Sequence, residues 1–235
     1  MGWAWPSPPP DGRRAGARSG SSDHRNQAAR RKVGMARTFG SMHRLTLICA
    51  ARLRRPVFPG AESLDETAIA RIGVADPRLR AADRTWCGPD AMTRRSAAAL
   101  GLDPTLQQAL AEVDYGSWRG RSLDDLATSQ PDAVQLWVDD PFSAPHGGET
   151  IAHLLNRVGN WLTEIRALRG MSVAVAPASF VKASLIAVLG APATSFGRVD
   201  ATALGASQFV ADGRRWILRS FNERHLGDKS EHPRR

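Results

Sequence analysis

Leu45-Thr46-Leu47-Ile48-Cys49-Ala50 is a run of six residues in which only Thr46 is polar. It is rich in strand-forming side chains and does not alternate, which is the pattern of a strand covered on both faces in a parallel sheet. Such a strand needs helices on both sides, and the chain downstream supplies them. A loop with Pro56, Pro59 and Gly60 leads to a short helical stretch over Leu64–Ile72, and Arg84–Cys87 reads as a second strand. Pro89 opens a helix that runs to Leu100 and stops at Gly101. A short strand is predicted around Gln108–Leu110, then the loop Glu112–Gly120 and two short helices, Leu123–Thr128 and Ala133–Val138.

The clearest periodicity lies over Thr150–Leu168. Ile151, Leu154, Leu155, Val158, Trp161, Leu162, Ile165 and Leu168 recur every three or four residues and form one apolar stripe. Gly147-Gly148 precede it, and Glu149 sits where a negative charge meets the positive end of the helix dipole. A strand over Ser172–Ala176 follows, then a helix over Phe180–Leu189 closed by Gly190 and Pro192. Two last strands, Leu204–Val210 and Trp216–Phe221, are joined by Ala211-Asp212-Gly213. The alternation predicts an α/β fold: three layers, α/β/α, around a mostly parallel sheet. Ligands in such sheets bind at the carboxyl ends of the strands.

The chain has 235 residues, 42% of them hydrophobic, and a net charge of +9. That charge is uneven. Residues 1–41 hold eight basic and two acidic side chains, a net +6, so the remainder is close to neutral. This first segment is rich in Pro, Gly, Ser and Arg without helical or strand periodicity, too poor in apolar surface to offset its ordering entropy. The division expected is a disordered basic extension over 1–41, one domain over 42–226 and a tail over 227–235. Translation from Met42 or Met35 is one reading of the extension, and nucleic-acid binding, which the extension alone would carry, is the less favoured one. No apolar stretch of a secretory signal follows Arg13-Arg14. Runs such as Ile186–Leu189 are far short of the ~20 residues a bilayer span needs. The expectation is a cytoplasmic protein without a membrane segment. Cys49 and Cys87 lack CxxC spacing, so neither a cysteine zinc site nor a disulfide framework is expected, and no metal or cofactor is implied.

The strand ends and their loops carry the functional reading. Glu112, Gly116, Trp118 and Gly120 form one spaced set. Pro145-His146-Gly147-Gly148-Glu149 with Arg157 eight residues on forms another, and Pro89 with Ser96-Ala97 a third. In this order they resemble the histidine phosphatase superfamily, the phosphoglycerate-mutase-like fold, from about Arg44 to Phe221. The Ala- and Arg-rich composition resembles the small actinobacterial-type members. The resemblance implies a phosphate pocket: Arg-His-Gly ending the first strand, with a nucleophilic histidine; Ser-Ser-Pro-x-x-Arg-Ala after the second; Ser-His-Gly ending a later strand; and a proton-donating acid. Carried over one residue at a time, the first arginine falls on Cys49, the nucleophile on Ala50, the second arginine on Met92 and the second histidine on Pro177. Only the acid survives, as Glu112.

A methyl group cannot form a phospho-intermediate, and without cations the transferring phosphoryl group has no electrostatic support. The resulting expectation is a catalytically degenerate member, a binding or regulatory module whose partner is a small phosphorylated or neutral ligand or another protein. The runner-up is a weak or altered phosphomonoester hydrolase that recruits Cys49, Arg52 or His146 beside Glu112. Trp118, His146, Gly147, Gly148 and Glu149 are read as the lip of the pocket, with Gly147-Gly148-Glu149 also serving as a helix start. His146, His43 and His153 are read as solvated loop histidines. Cys49 and Cys87 are read as ends of neighbouring strands, reduced and buried, with a redox pair as the lesser alternative.

Overall fold

The computed structural model describes residues 42–53, 55–60, 66–70, 72 and 76–223. The expectations for 1–41 and 227–235, and part of the Leu64–Ile72 helix, lie outside the described residues.

The first strand, β1 (His43–Cys49), is buried at every position except Arg44. Helices α1 (Glu66–Ala70) and α2 (Pro77–Arg80) lead to β2 (Arg84–Cys87) and α3 (Ala91–Ala99). Then come β3 (Thr105–Leu106), α4 (Leu123–Ser129), α5 (Pro131–Asp139), α6 (Ile151–Ile165), β4 (Gly170–Ala176), α7 (Ala178–Leu189), β5 (Ala206–Ala211) and β6 (Trp216–Glu223). The sheet order is β3-β2-β4-β1-β5-β6. The β3–β2, β2–β4 and β4–β1 pairs are parallel, and β5 and β6 join antiparallel.

Side-chain alternation along the central strands builds the two outer layers. Leu45, Leu47, Ala174 and Ala176 pack with α6 and α7 through Leu154, Val158, Trp161 and Phe180. Ile48, Val173 and Val175 face the other way, toward Ala97 of α3 and Ile69 and Leu79 of α1 and α2. This is the expected α/β/α arrangement around a mostly parallel sheet.

Some expected elements move. Gln108–Leu110 is a 3-10 turn rather than a strand, and the strand is the two-residue β3, with Thr105 and Leu106 opposite Trp86 and Cys87. The α3 helix starts at Ala91 behind Asp90, two residues after Pro89. The α6 helix ends at Ile165, so Leu168 lies in the turn that follows. Its start is fixed by Thr150, whose hydroxyl accepts the His153 N–H at 3.0 Å.

The two cysteines are not on neighbouring strands. Cys49 lies opposite Ala176 and Cys87 opposite Val175, so β4 runs between them. Two strand spacings put their backbones about 10 Å apart, past the ~7 Å limit for a disulfide. They also point to opposite faces of the sheet.

Candidate functional site

A cavity of about 940 Å³ opens beside the segments that follow β1 and β2, lined in part by Glu112, Asp90, Met92, Pro89 and Leu53. Glu112 is held from three sides. Its own N–H donates to Asp90 Oδ2 at 2.9 Å. Its Oε1 accepts the Val113 N–H at 2.9 Å and the hydroxyl of Ser179, which stands in the first turn of α7. Burial pushes the carboxyl up to about 7, with the Ser179 and Val113 hydrogen bonds opposing and the charge of Asp90 adding to the rise. Asp114 lines the same wall and holds Arg119, the single cation among the described lining residues, at 2.7 Å.

The four positions of the resemblance lie at or beside these strand ends. Met92 lines the cavity. Cys49 and Ala50 close β1, with the Ala50 N–H on the Ala176 carbonyl at 2.8 Å, and Pro177 is the residue before α7. Cys49, Ala50 and Pro177 are all buried. Ser96 ties this floor together: its hydroxyl donates to the Met92 carbonyl at 2.8 Å and accepts the Ala51 N–H at 2.9 Å.

None of the three suggested replacement groups makes a hydrogen bond or ion pair with Glu112 among the described residues. Burial, then the charge of Glu112, pushes the Cys49 thiol up to about 12, and its nearest hydrogen-bond partner is the Ala201 carbonyl at 3.9 Å. Arg52 is exposed and does not line the cavity. His146 is buried behind the loop that carries Glu112.

The lip assignment is corrected. Trp118, His146, Gly147, Gly148 and Glu149 do not line the cavity. The 3-10 turn Gly116–Trp118 folds the Trp118 indole into the core, where its Nε1 donates to Gln130 at 3.0 Å and its ring lies 5.2 Å from that of His146. His146 is buried, not solvated. Its Nδ1 accepts the Gly148 N–H at 3.1 Å, and burial holds its pKa below the usual value. His43 is buried as well, bonded through Nε2 to Ser172 at 2.8 Å at the far end of β1. His153 is exposed, as expected.

The lip residues instead brace the acid's loop from behind. The His146 carbonyl accepts the Ser117 N–H at 2.9 Å, and the Asp114 carbonyl accepts the Glu149 N–H at 2.7 Å. A side chain on Gly148 would run into the Asp114 carbonyl, and one on Gly116 (φ +47°) into that of His146, so both positions demand glycine. Arg157 completes the brace. It grips Glu149 with two bonds of 2.9 and 2.7 Å and donates to the Ala109 and Ala111 carbonyls at 2.7 and 3.0 Å, next to Glu112 in the chain. The sequence reading missed Asp90 and Ser179. An acid directly after Pro89 was a legible sign of the first, whereas no local pattern marks the second.

A family model of the histidine phosphatase superfamily (branch 1) matches residues 63–224. The chain belongs to that superfamily. It is 26% identical over 136 residues to phosphoserine phosphatase 1 of Hydrogenobacter thermophilus, an alignment covering 56% of this chain and 64% of that one. It is 30% identical over 122 residues to the bifunctional protein Rv2228c of Mycobacterium tuberculosis, covering 50% of this chain and 34% of that protein. The chain thus spans somewhat under two thirds of the first relative and about a third of the second. In fold it is similar to mycobacterial glucosyl-3-phosphoglycerate phosphatase (TM-score 0.64, 19% identity, 77% of this chain and 98% of that one). It is similar also to the Entamoeba histolytica phosphoserine phosphatase in complex with 3-phosphoglyceric acid (TM-score 0.67, 16% identity, 77% and 97%). No helix among the described residues is long and apolar enough to cross a membrane.

Proposed function

We propose that this chain is a catalytically silent member of the histidine phosphatase superfamily, a module that binds a ligand at the old phosphate site without turning it over. One observation carries the reading: the residues at Cys49, Ala50, Met92 and Pro177, where the superfamily resemblance calls for two arginines and two histidines, offer no cation and no accessible nucleophile. Phosphoryl transfer rests on positioning and on electrostatic support of spread negative charge, and here Glu112 faces the cavity with Asp90 beside it. Loss of a nucleophile alone costs on the order of a millionfold in rate. Relatives of this chain are named as phosphatases, and on this reading the chain keeps their frame without their chemistry.

The test is turnover of an aryl phosphate by the full chain, beside a variant carrying Ala50→His, Pro177→His, Cys49→Arg and Met92→Arg. Silence from the parent and turnover by the variant is the expected result, with circular dichroism melts of both confirming that the variant folds. Parent turnover that Glu112→Gln abolishes overturns the proposal.

A further inference from the structure

We propose that this chain pairs with a second copy of itself across the end of α5, each copy seating its Phe142 in an apolar hollow of the other. The face lies apart from the cavity beside Glu112, so the inference goes beyond the reading of a silent module and stands independently of it.

The hollow, of about 70 Å³, lies between two walls. Trp137, Val138 and Pro141 form one, at the end of α5 and in the turn after it; Thr194, Phe196 and Gly197 of the 3-10 turn Ala193–Arg198 form the other. None of its lining residues lines the larger cavity. The surface beside it is apolar. Val138 is 62% exposed, and Phe142, next to the lining Pro141, is 74% exposed, the highest value among the large hydrophobic side chains described. Leu136, one residue before Trp137, is exposed as well. Scattered apolar side chains on a surface need no explanation, but a group of them beside a hollow marks a contact surface. Trp137 adds a second sign: its indole Nε1 is buried with no acceptor among the described residues, which leaves it a donor for whatever closes the hollow.

The charges decide the partner. Each wall carries an exposed charge directly after a lining residue, Asp139 after Val138 and Arg198 after Gly197, and the two are opposite in sign. Asp139 accepts the Gln135 amide at 2.8 Å, and Arg198 makes no hydrogen bond or ion pair among the described residues. The neighbouring acids are engaged elsewhere: Asp140 accepts the Phe142 N–H at 2.9 Å, and Asp200 lies within electrostatic reach of Lys182. A two-fold axis exchanges the walls, so Asp139 of each copy meets Arg198 of the other, twice, and each Phe142 stands over the other's hollow. Knob, hollow, acid and base then all come from one surface, which is the condition for an isologous contact. A foreign partner calls for no such self-match.

Sedimentation equilibrium on the full chain reads the association, with a melting curve of each variant to confirm that it folds. The parent is expected at twice the monomer mass at about 100 μM and to dissociate on dilution toward about 1 μM. Phe142→Asp changes a side chain that is exposed in the single chain, and it is expected to weaken the dimer at least about thirtyfold, as loss of a central anchor does. Arg198→Glu sets like charges against each other and is expected to weaken it about tenfold; adding Asp139→Arg restores opposite signs and should bring it back to within about threefold of the parent. A parent that stays monomeric at about 100 μM overturns the inference and leaves the face to a different partner. A dimer that ignores Phe142→Asp overturns it too, because the contact then lies elsewhere, and so does an Arg198→Glu defect that Asp139→Arg fails to repair. Turnover of an aryl phosphate, which tests the silent reading, leaves these outcomes unchanged.

Discussion

Arg157→Leu tests how the pocket wall is held. Arg157 makes four hydrogen bonds of 2.7 to 3.0 Å, two to the Glu149 carboxylate and two to the carbonyls at Ala109 and Ala111. Leucine keeps the apolar stem and removes all four. The Glu149 carboxylate would then be left with 17% of its side-chain surface exposed and no partner. Breaking a buried pair by removing one member costs about 3–5 kcal/mol. Partial exposure of both side chains, 24% for Arg157 and 17% for Glu149, moves the figure to the lower end, about 3 kcal/mol. For a domain of this size each kcal/mol lowers the melting temperature by about 2–4 °C, so a fall of about 6–12 °C is expected. Scanning calorimetry on parent, Arg157→Leu and Glu149→Leu/Arg157→Leu reads it directly. The double variant removes the stranded charge and should recover part of the loss, because much of the single-variant cost is desolvation of an unpaired carboxylate. A single variant melting within about 3 °C of the parent, or a double variant melting below the single one, refutes the bracing role.

Three more outcomes follow from the same geometry. Glu112 releases its proton near 4.5 when unfolded but holds it to about 7 in the fold, so across that window the folded state binds more protons and stability falls as pH rises. Glu112→Gln is therefore expected to gain on the parent between those values and to level off on the order of 3 kcal/mol ahead at pH 8, read from chemical denaturation at several pH values; a gap independent of pH contradicts the buried placement beside Asp90, Ser179 and Arg157. Cys49 and Cys87 are buried, with thiols pushed up by that burial, so a thiol reagent should label neither until the protein unfolds, and mild oxidation should leave both reduced. Labelling of the folded protein within mixing time would show that a cysteine reaches solvent. Gly148→Ala drives a methyl group into the Asp114 carbonyl and is expected to cost more than about 2 kcal/mol, whereas Gly159→Ala, with open space around it, should cost nothing; equal melting of the two variants removes the glycine contact from the account.

The strands were legible because burial on both faces leaves continuous apolar runs, as in Leu45–Ala50, and α6 because its stripe repeats every three or four residues. Proline and glycine marked the helix ends, including Gly190 in the left-handed conformation behind α7. The two-residue strand β3 is too short to show any period, so the reading fell instead on the neighbouring turn. Trp118 was read as the lip of the pocket and His146 as a solvated loop histidine, yet the turn that contains Trp118 folds it against His146 in the core. That is a tertiary event with no local sign. The cysteine pair failed for a related reason: chain order puts the two strands next to one another, while sheet order inserts β4 between them. At the candidate site Glu112 was found because its loop has a recognisable spacing. Its partners Asp90 and Ser179 lie 22 and 67 residues away in the chain and meet it only in the fold.

The residues that brace the acid's loop, Glu149, Arg157, Gly116, Gly148 and His146, share no member with the four positions Cys49, Ala50, Met92 and Pro177. Architecture and reactivity are thus written in separate parts of the chain. Active sites that gather cations and desolvated imidazoles hold like charges close together, at some expense in stability. On the proposed reading, Cys49, Ala50, Met92 and Pro177 in place of such groups leave the brace untouched and bring no like charges together. By the same logic, the variant carrying Cys49→Arg, Ala50→His, Met92→Arg and Pro177→His should melt below the parent, so that activity in it would come with a weaker scaffold.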